Sequence, residues 1–266
     1  MPSGGTSFEG ANMEAREAGA SDGSSAGPAD RNEGSAAPFH GCEKCGLKSG
    51  CLPRALAAND LKTFSTLARL KRQIRPGALL FSAGNPLTGL YVVRTGTFKT
   101  VAISREGDPK ITGFYLPGDV LGLHALSART YLFDAIALEH SEVCVLPIRQ
   151  LEGMLESIPQ LQREFIRALS DTISRDRRLL LMGCMDAEQR VSRLLLSLAD
   201  RYQRLGYARE ELLLHMTRDD IASYLCLSSE TVSRVISRLR RKGVLTVNQR
   251  HIGFTDCVRL AKTSAW

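Results

Sequence analysis

The sequence has no run of about 18 or more apolar residues, the length a helix needs to cross a bilayer, and no apolar stretch behind a positive segment at its start. Neither a membrane span nor a secretory leader is expected, which places the protein in the cytoplasm. It also lacks a nucleophile elbow, a phosphate-binding loop and a His-Glu-x-x-His pair, and its five histidines (His40, His124, His140, His215, His251) are scattered. No enzymatic activity is expected. Cytoplasmic thiols stay reduced, so the seven cysteines, an odd number, read as ligands and core residues rather than as a disulfide framework.

What is present is unevenly distributed. The chain is 266 residues long, enough for two domains, and carries a net charge of +7. Residues 1–38 hold two Arg and six acids, a balance of −4, which leaves +11 for residues 39–266. A basic folded body suits a polyanionic partner, because lysines and arginines that neutralise phosphates release condensed counterions; a solvated basic surface has the same composition. Residues 1–38 are rich in Gly, Ser and Ala and poor in large apolar side chains, so they are expected to form a disordered tail.

A cysteine-bearing segment over residues 39–55 precedes a helix expected over Leu56–Leu70. Short β-rich runs follow: Ala78–Phe81, Leu90–Arg94, Phe98–Ile103, Ile111–Tyr115, Ala135–Leu138 and Val143–Leu146. Gly and Pro punctuate them, the pattern of an antiparallel sandwich or barrel in a domain over residues 56–156. Ser157 can cap a long helix with Pro159 in its first turn, extending to about Cys184 (segment 157–185). Along it Ile166, Leu169, Ile173, Asp176, Leu180 and Gly183 alternate in spacings of three and four. That is a heptad seam for pairing with a second copy of the helix; an amphipathic helix packed on its own domain fits the same pattern.

Asp186 with Gln189 forms a capping box that opens residues 186–266 with a helix over Ala187–Leu205. Thr217–Leu225, the turn Cys226–Ser228 and a second helix Ser229–Lys242 match a helix-turn-helix. In the second helix Val232, Val235, Ile236 and Leu239 share one face, leaving Glu230, Ser233 and Arg234 near the N-terminus of the other, with Arg238 and Arg241 beyond. Arg bonds guanine bidentately and Glu accepts from cytosine, so these are base-reading residue types on double-stranded DNA; Glu230 and Arg234 are equally spaced for an exposed ion pair. Val244–Val247 and His251–Phe254 flank Asn248–Arg250 as a hairpin wing. Arg250 there is a candidate phosphate contact, and Thr217, which caps the first helix as Ser228 caps the second, is a further candidate DNA-binding residue.

Cys42, Cys45 and Cys51 form a C-x2-C-x5-C array in a segment with little else to organise it, and coordination free energy can serve as folding free energy. A zinc ion or an iron-sulfur centre needs four ligands. Of Cys144, Cys184, Cys226 and Cys257, the choice for the fourth is Cys144 in the strand Val143–Leu146, although a lone cysteine in a strand is also a common core residue. Spacing alone does not separate iron-sulfur from zinc, and a zinc-stapled regulator answering another signal is the alternative reading.

The order of β-rich domain, long helix and helix-turn-helix over about residues 40–260 resembles the CRP/FNR superfamily of transcription regulators, and within it the FNR-type oxygen sensors. The specific matches are the Cys42, Cys45, Cys51 triple, the stretch Ala137-Leu-Glu-His-Ser-Glu-Val-Cys144, and Met216-Thr-Arg-Asp-Asp-Ile221 leading to Glu230-Thr-Val-Ser-Arg234. The resemblance implies an α+β fold: an N-terminal double-stranded β-roll of the cyclic-nucleotide-binding type, a long dimerisation helix and a C-terminal winged helix-turn-helix. It implies that Cys42, Cys45, Cys51 and Cys144 bind an oxygen-labile [4Fe-4S] cluster and that the clustered form is a homodimer on DNA. Oxygen would convert the cluster to [2Fe-2S] and release the dimer. Glu230, Ser233 and Arg234 would read a palindrome with TTGAT half-sites.

Two departures carry expectations of their own. Cys226 stands in the turn where relatives usually have Gly, at a cost on the order of 1 kcal/mol if the backbone needs positive φ. Residues 118–134 lack the Gly-Glu and Arg-Ser pairs of cyclic-nucleotide-binding relatives, so no cyclic nucleotide is expected. In a dimer Asp176 would face its twin, and two desolvated like charges repel. RNA polymerase is an expected partner, with the turn Ser104–Lys110 as the candidate surface; an ordinary hairpin loop has the same sequence character.

Overall fold

A computed structural model describes residues 41–47, 50–68 and 71–263. The tail expected over Met1–Pro38 lies outside the described residues, as do Phe39, His40 and Leu70. A 3-10 turn, Cys42–Lys44, leads to α1 (Ala58–Leu67), two residues shorter at its start than the apolar pattern suggested. Eight strands follow: β1 (Lys71–Ile74), β2 (Leu79–Phe81), β3 (Gly89–Thr95), β4 (Phe98–Ile103), β5 (Pro109–Tyr115), β6 (Val120–Leu121), β7 (Asp134–Ala137) and β8 (Ser141–Pro147), with the short helix α2 (Ala125–Ala128) before β7. They form two antiparallel four-stranded sheets, β1-β8-β3-β6 and β2-β7-β4-β5.

Alternation decides which side chains fill the space between the sheets. Leu90, Val93, Phe98, Leu121, Ala135, Val143 and Leu146 are fully buried there, and Phe81 stacks on Tyr131 with ring centroids 4.1 Å apart. This filled roll matches the expected α+β class. β1 escaped the sequence reading because Lys-Arg-Gln-Ile has one apolar residue; its place is set by pairing with β8, Lys71 opposite Cys144.

α3 (Ile148–Ser157) was also not foreseen, and it corrects the expected cap of the long helix. The Ser157 hydroxyl donates back to the carbonyls of Gly153 and Met154, ending α3, while α4 (Pro159–Met182) starts after Ile158 with no side-chain cap. Pro159 supplies the fixed φ and needs no N–H partner in that position.

α4 uses both of the faces its sequence left open. Leu161 and Phe165 are buried, and Ala168 and Leu169 pack beside them on the roll. Ile166, Ile173 and Leu180 form a stripe of exposed apolar side chains, 54–78% accessible, with Asp176 exposed beside it. Leu169, half-buried, packs against the roll at the border between that face and the stripe.

α5 (Ala187–Arg204) begins at the expected Asp186–Gln189 capping box. Then come β9 (Glu211–Leu213), α6 (Arg218–Leu225), α7 (Ser229–Arg241), β10 (Leu245–Asn248), β11 (His251–Phe254) and α8 (Cys257–Thr263). The wing is a three-stranded sheet, β10-β11-β9; β9 carried no alternation in the sequence, and the cap of α8, Asp256 accepting from the Arg259 N–H, went unread. α6 docks on β4 and β5: Lys99 Nζ lies 2.7 Å from Asp220 Oδ1, the Ile111 N–H donates to Ser223 Oγ, and Phe114 packs on Tyr224. Among the described residues no helix is long and apolar enough to cross a membrane.

Candidate DNA interface and cysteine site

The helix-turn-helix is built from local signals. Thr217 Oγ1 accepts from the Asp220 N–H, Asp220 returns the bond to the Thr217 N–H, and Ser228 Oγ accepts from the Thr231 N–H at the start of α7. Thr217 is exposed, with its oxygen occupied by the cap. Between the helices Cys226 adopts φ 55°, ψ 47°, so the turn does require the left-handed conformation in which glycine is free of strain. Val232, Val235, Ile236 and Leu239 are buried, fixing the rotation of α7.

That rotation leaves Glu230, Ser233 and Arg234 exposed at the N-terminal end of α7. Arg234 Nε stands 3.7 Å from Glu230 Oε1, an open pair worth only tenths of a kcal/mol at such exposure, so DNA can take either partner at little cost. Arg238 is also exposed but is held by Glu188 at the start of α5, 3.3 Å away, where Lys242 joins it. Arg250 occupies the tip of the wing beside Gln249, whose φ is 53°.

The cysteine site lies on the outer face of the sheet β1-β8-β3-β6. Cys144 is half-buried there, paired with Lys71 on one side and Val92 on the other, while Val143 points into the roll. Cys42 is fixed over this face by its own N–H, which donates to Ser65 Oγ of α1 at 2.9 Å. All four thiols fall in one neighbourhood. Burial, and then Cys42 and Cys45, push the Cys144 thiol up to about 11 against the pull of Arg94 and Lys71. Burial, with Cys144, Cys42 and Cys45 adding to it, pushes the Cys51 thiol up as well, and burial raises Cys42.

All four cysteines are free of disulfides, and the thiolate forms that metals select are soft donors suited to iron-sulfur or zinc. Among the described residues no three His, Cys, Asp or Glu side chains stand close enough to hold a single metal ion. Glu142 ties the surrounding cations, with Arg94 at 2.6 Å and Lys71 at 3.3 Å, and Arg94 also faces the Cys45 thiol. Cys184 and Cys226 are exposed elsewhere, at the end of α4 and in the helix-turn-helix turn.

A third cluster, missed in the sequence, joins roll, long helix and DNA-binding region. Asp119, in the turn before β6, accepts from the Leu116 N–H, from Arg175 of α4 at 3.2 Å and from Arg201 of α5. Burial pushes its carboxyl up, but the Arg201 and Arg175 guanidiniums outweigh that and hold it below the usual carboxylate range. Only the chain path brings these residues together, and no local pattern announces it.

Comparison with known proteins fits this architecture. Residues 71–157 match the cyclic nucleotide-binding domain family and residues 189–263 the Crp-like helix-turn-helix domain family. The transcriptional regulatory protein btr of Bordetella pertussis is 37% identical over 216 residues, 81% of this chain and 89% of that protein. The anaerobic regulatory protein of Pasteurella multocida is 37% identical over 224 residues, 84% of this chain and 82% of that protein. The solved structure of FixK2 from Bradyrhizobium japonicum superposes with a TM-score of 0.68 at 27% identity, covering 74% of this chain and 98% of that one. With both domain families matched in order and relatives of this identity along most of its length, the chain belongs to the CRP/FNR family of DNA-binding transcription regulators, of the anaerobic-regulator type, and not to an enzyme family.

Proposed function

We propose that this regulator is oxygen-responsive, with Cys42, Cys45, Cys51 and Cys144 holding a [4Fe-4S] cluster that promotes homodimerisation and binding to a palindromic site. The observation that carries the reading is that thiols from two separate parts of the chain, residues 42–51 and β8, share one neighbourhood. Four thiolates are the donor set of an iron-sulfur cluster or of zinc, and the similarity to proteins named as anaerobic regulators favours the cluster. When bound, the group supplies an oxygen-labile cross-link between the cysteine segment and the sheet.

The chain's own residues do the rest. Ile166, Ile173 and Leu180 offer a heptad stripe to a second copy. Dimerisation matters because two recognition helices reach half-sites about 34 Å apart only when two chains are paired. The aromatic filling of the roll by Phe81, Tyr91 and Tyr131 supports control without a cyclic nucleotide. The exposed turn Ser104–Lys110, closed by the Ser104 N–H to the Asp108 carbonyl, is the surface assigned to RNA polymerase.

Two results test this function. Protein purified without oxygen should be coloured and contain iron and labile sulfide, with absorbance and DNA binding fading together on exposure to air; a colourless zinc protein would sink it. Arg234→Ala should weaken binding to the preferred palindrome by about 1–3 kcal/mol and relax the preference at one base pair per half-site. Competition between single-base variants of the site at fixed salt reads this out, and an equal loss on every sequence would assign Arg234 to phosphate instead.

A further inference from the structure

Among the described residues the cysteine segment reaches α4 through a close ion pair. Arg54 Nε lies 2.7 Å from Glu164 Oε2, and the Glu164 side chain is only 5% exposed. Its other oxygen has Arg167 at 3.5 Å, a looser contact from a side chain 60% exposed. A buried carboxylate is tolerated only where a counter-charge meets it, so the position of this part of α4 depends on where Arg54 is.

Arg54 in turn depends on Cys51. Its N–H donates to the Cys51 carbonyl at 3.1 Å, and the Leu56 N–H closes the next turn on Pro53. Leu52 and Leu56 are buried on either side, which leaves few ways for Arg54 to move independently of the thiol three residues before it. On the helix, Glu164 lies between buried Leu161 and Phe165 and two residues before Ile166, the first exposed apolar residue of the stripe.

The same segment sits tightly on the turn that clamps α4 three helical turns further along the same face. A Cβ built on Gly118 would stand 2.6 Å from the Gly50 carbonyl oxygen, and the next residue is Asp119, which Arg175 of α4 grips. Displacement of residues 50–54 therefore disturbs α4 at Glu164 and at the Gly118–Asp119 turn.

We propose that Arg54 is a positioning residue that transmits the state of the cysteine site to the dimer face of α4 by its pairing with Glu164. The inference rests on the reading of Cys42, Cys45, Cys51 and Cys144 as a cluster site. It requires no new contact with the cluster itself. Two arrangements of α4 that differ in their use of this ion pair are enough to shift the monomer–dimer population.

The test uses full-length protein prepared anaerobically, comparing wild type with Arg54→Met, Glu164→Gln and the charge swap Arg54→Glu with Glu164→Arg. Iron, sulfide and the absorption spectrum report loading, and sedimentation velocity reports the dimer. Both single variants should carry wild-type iron and sulfide yet dimerise at least ten-fold more weakly, and the swap should recover part of the loss. Loaded single variants that dimerise like wild type would overturn the assignment of Arg54 while leaving the cluster reading intact. Should Arg54→Met lose its iron, Glu164→Gln, changed on α4 away from the thiols, decides between the same two outcomes. Wild type devoid of iron would overturn both readings.

Discussion

Cys144→Ser is expected to strip the protein of iron and sulfide and to lower its affinity for a palindromic site by about two to four orders of magnitude, the factor lost when a linked second half-site no longer engages. Cys144 is the one thiol of the four that the roll contributes, so its removal cuts the cross-link and leaves three ligands on one short segment. Serine keeps the size of the side chain but is not a thiolate. The backbone ladder from Cys144 to Lys71 and Val92 does not involve the sulfur, and the thiol is half-buried on the outer face of the sheet. The roll should therefore survive, with a change in thermal midpoint of no more than a few degrees. Iron and sulfide assays with binding to labelled duplex at one salt concentration separate these effects. Wild-type iron in Cys144→Ser would move the fourth ligand to Cys184, Cys226 or Cys257.

How much of this was legible in the sequence follows from the range over which each feature is determined. The helix-turn-helix was readable because caps, turn and apolar face are local: Thr217, Ser228 and Val232-Val235-Ile236-Leu239 each act within a few residues. Strands with several β-branched or aromatic residues, such as Phe98–Ile103, were read at their observed bounds. β1 and β9 were not, because partners distant in sequence define them. The dimer stripe was half legible. Period fixed which residues share a face, but Leu169 lies at the border of two faces, and only the packed roll decides that it turns inward.

The cysteine site shows the same division. Spacing made Cys42, Cys45 and Cys51 a group, whereas the choice of Cys144 over three other cysteines rested only on its place in a strand of the β-rich domain, where a core cysteine is just as common. Nothing local pointed to Arg54, Glu164 or Asp119. Each is an ordinary charged residue until the fold buries it: Glu164 in α4 opposite Arg54, Asp119 between the guanidiniums of α4 and α5. Charged residues that couple parts of a fold give no sequence signal, because their meaning lies in a partner 56 to 110 positions away.

Asp176→Ala should make the cluster-free protein dimerise about 100-fold more tightly and bind its DNA site in air. In one chain Asp176 is exposed beside the stripe Ile166, Ile173 and Leu180. Pairing two stripes in heptad register sets it against its twin, and two unit charges about 5 Å apart at an effective dielectric near 20 repel by roughly 3 kcal/mol. Although Asp176 is exposed by surface area, partial desolvation of its carboxyl already pushes it up, against the pull of Arg175, and the twin carboxylate in a dimer would push it further. The dimer then binds protons more strongly than the monomer, so dimerisation of the cluster-free protein should strengthen as pH falls towards that raised value and weaken above it. Alanine removes both the repulsion and the proton linkage. Sedimentation equilibrium of iron-free protein at pH 8 and pH 5.5 measures the two together. A variant that stays monomeric at both would show that α4 alone does not set the balance, and the barrier to pairing would then have to lie in the contact that clamps α4 to the Gly118–Asp119 turn, Arg175–Asp119.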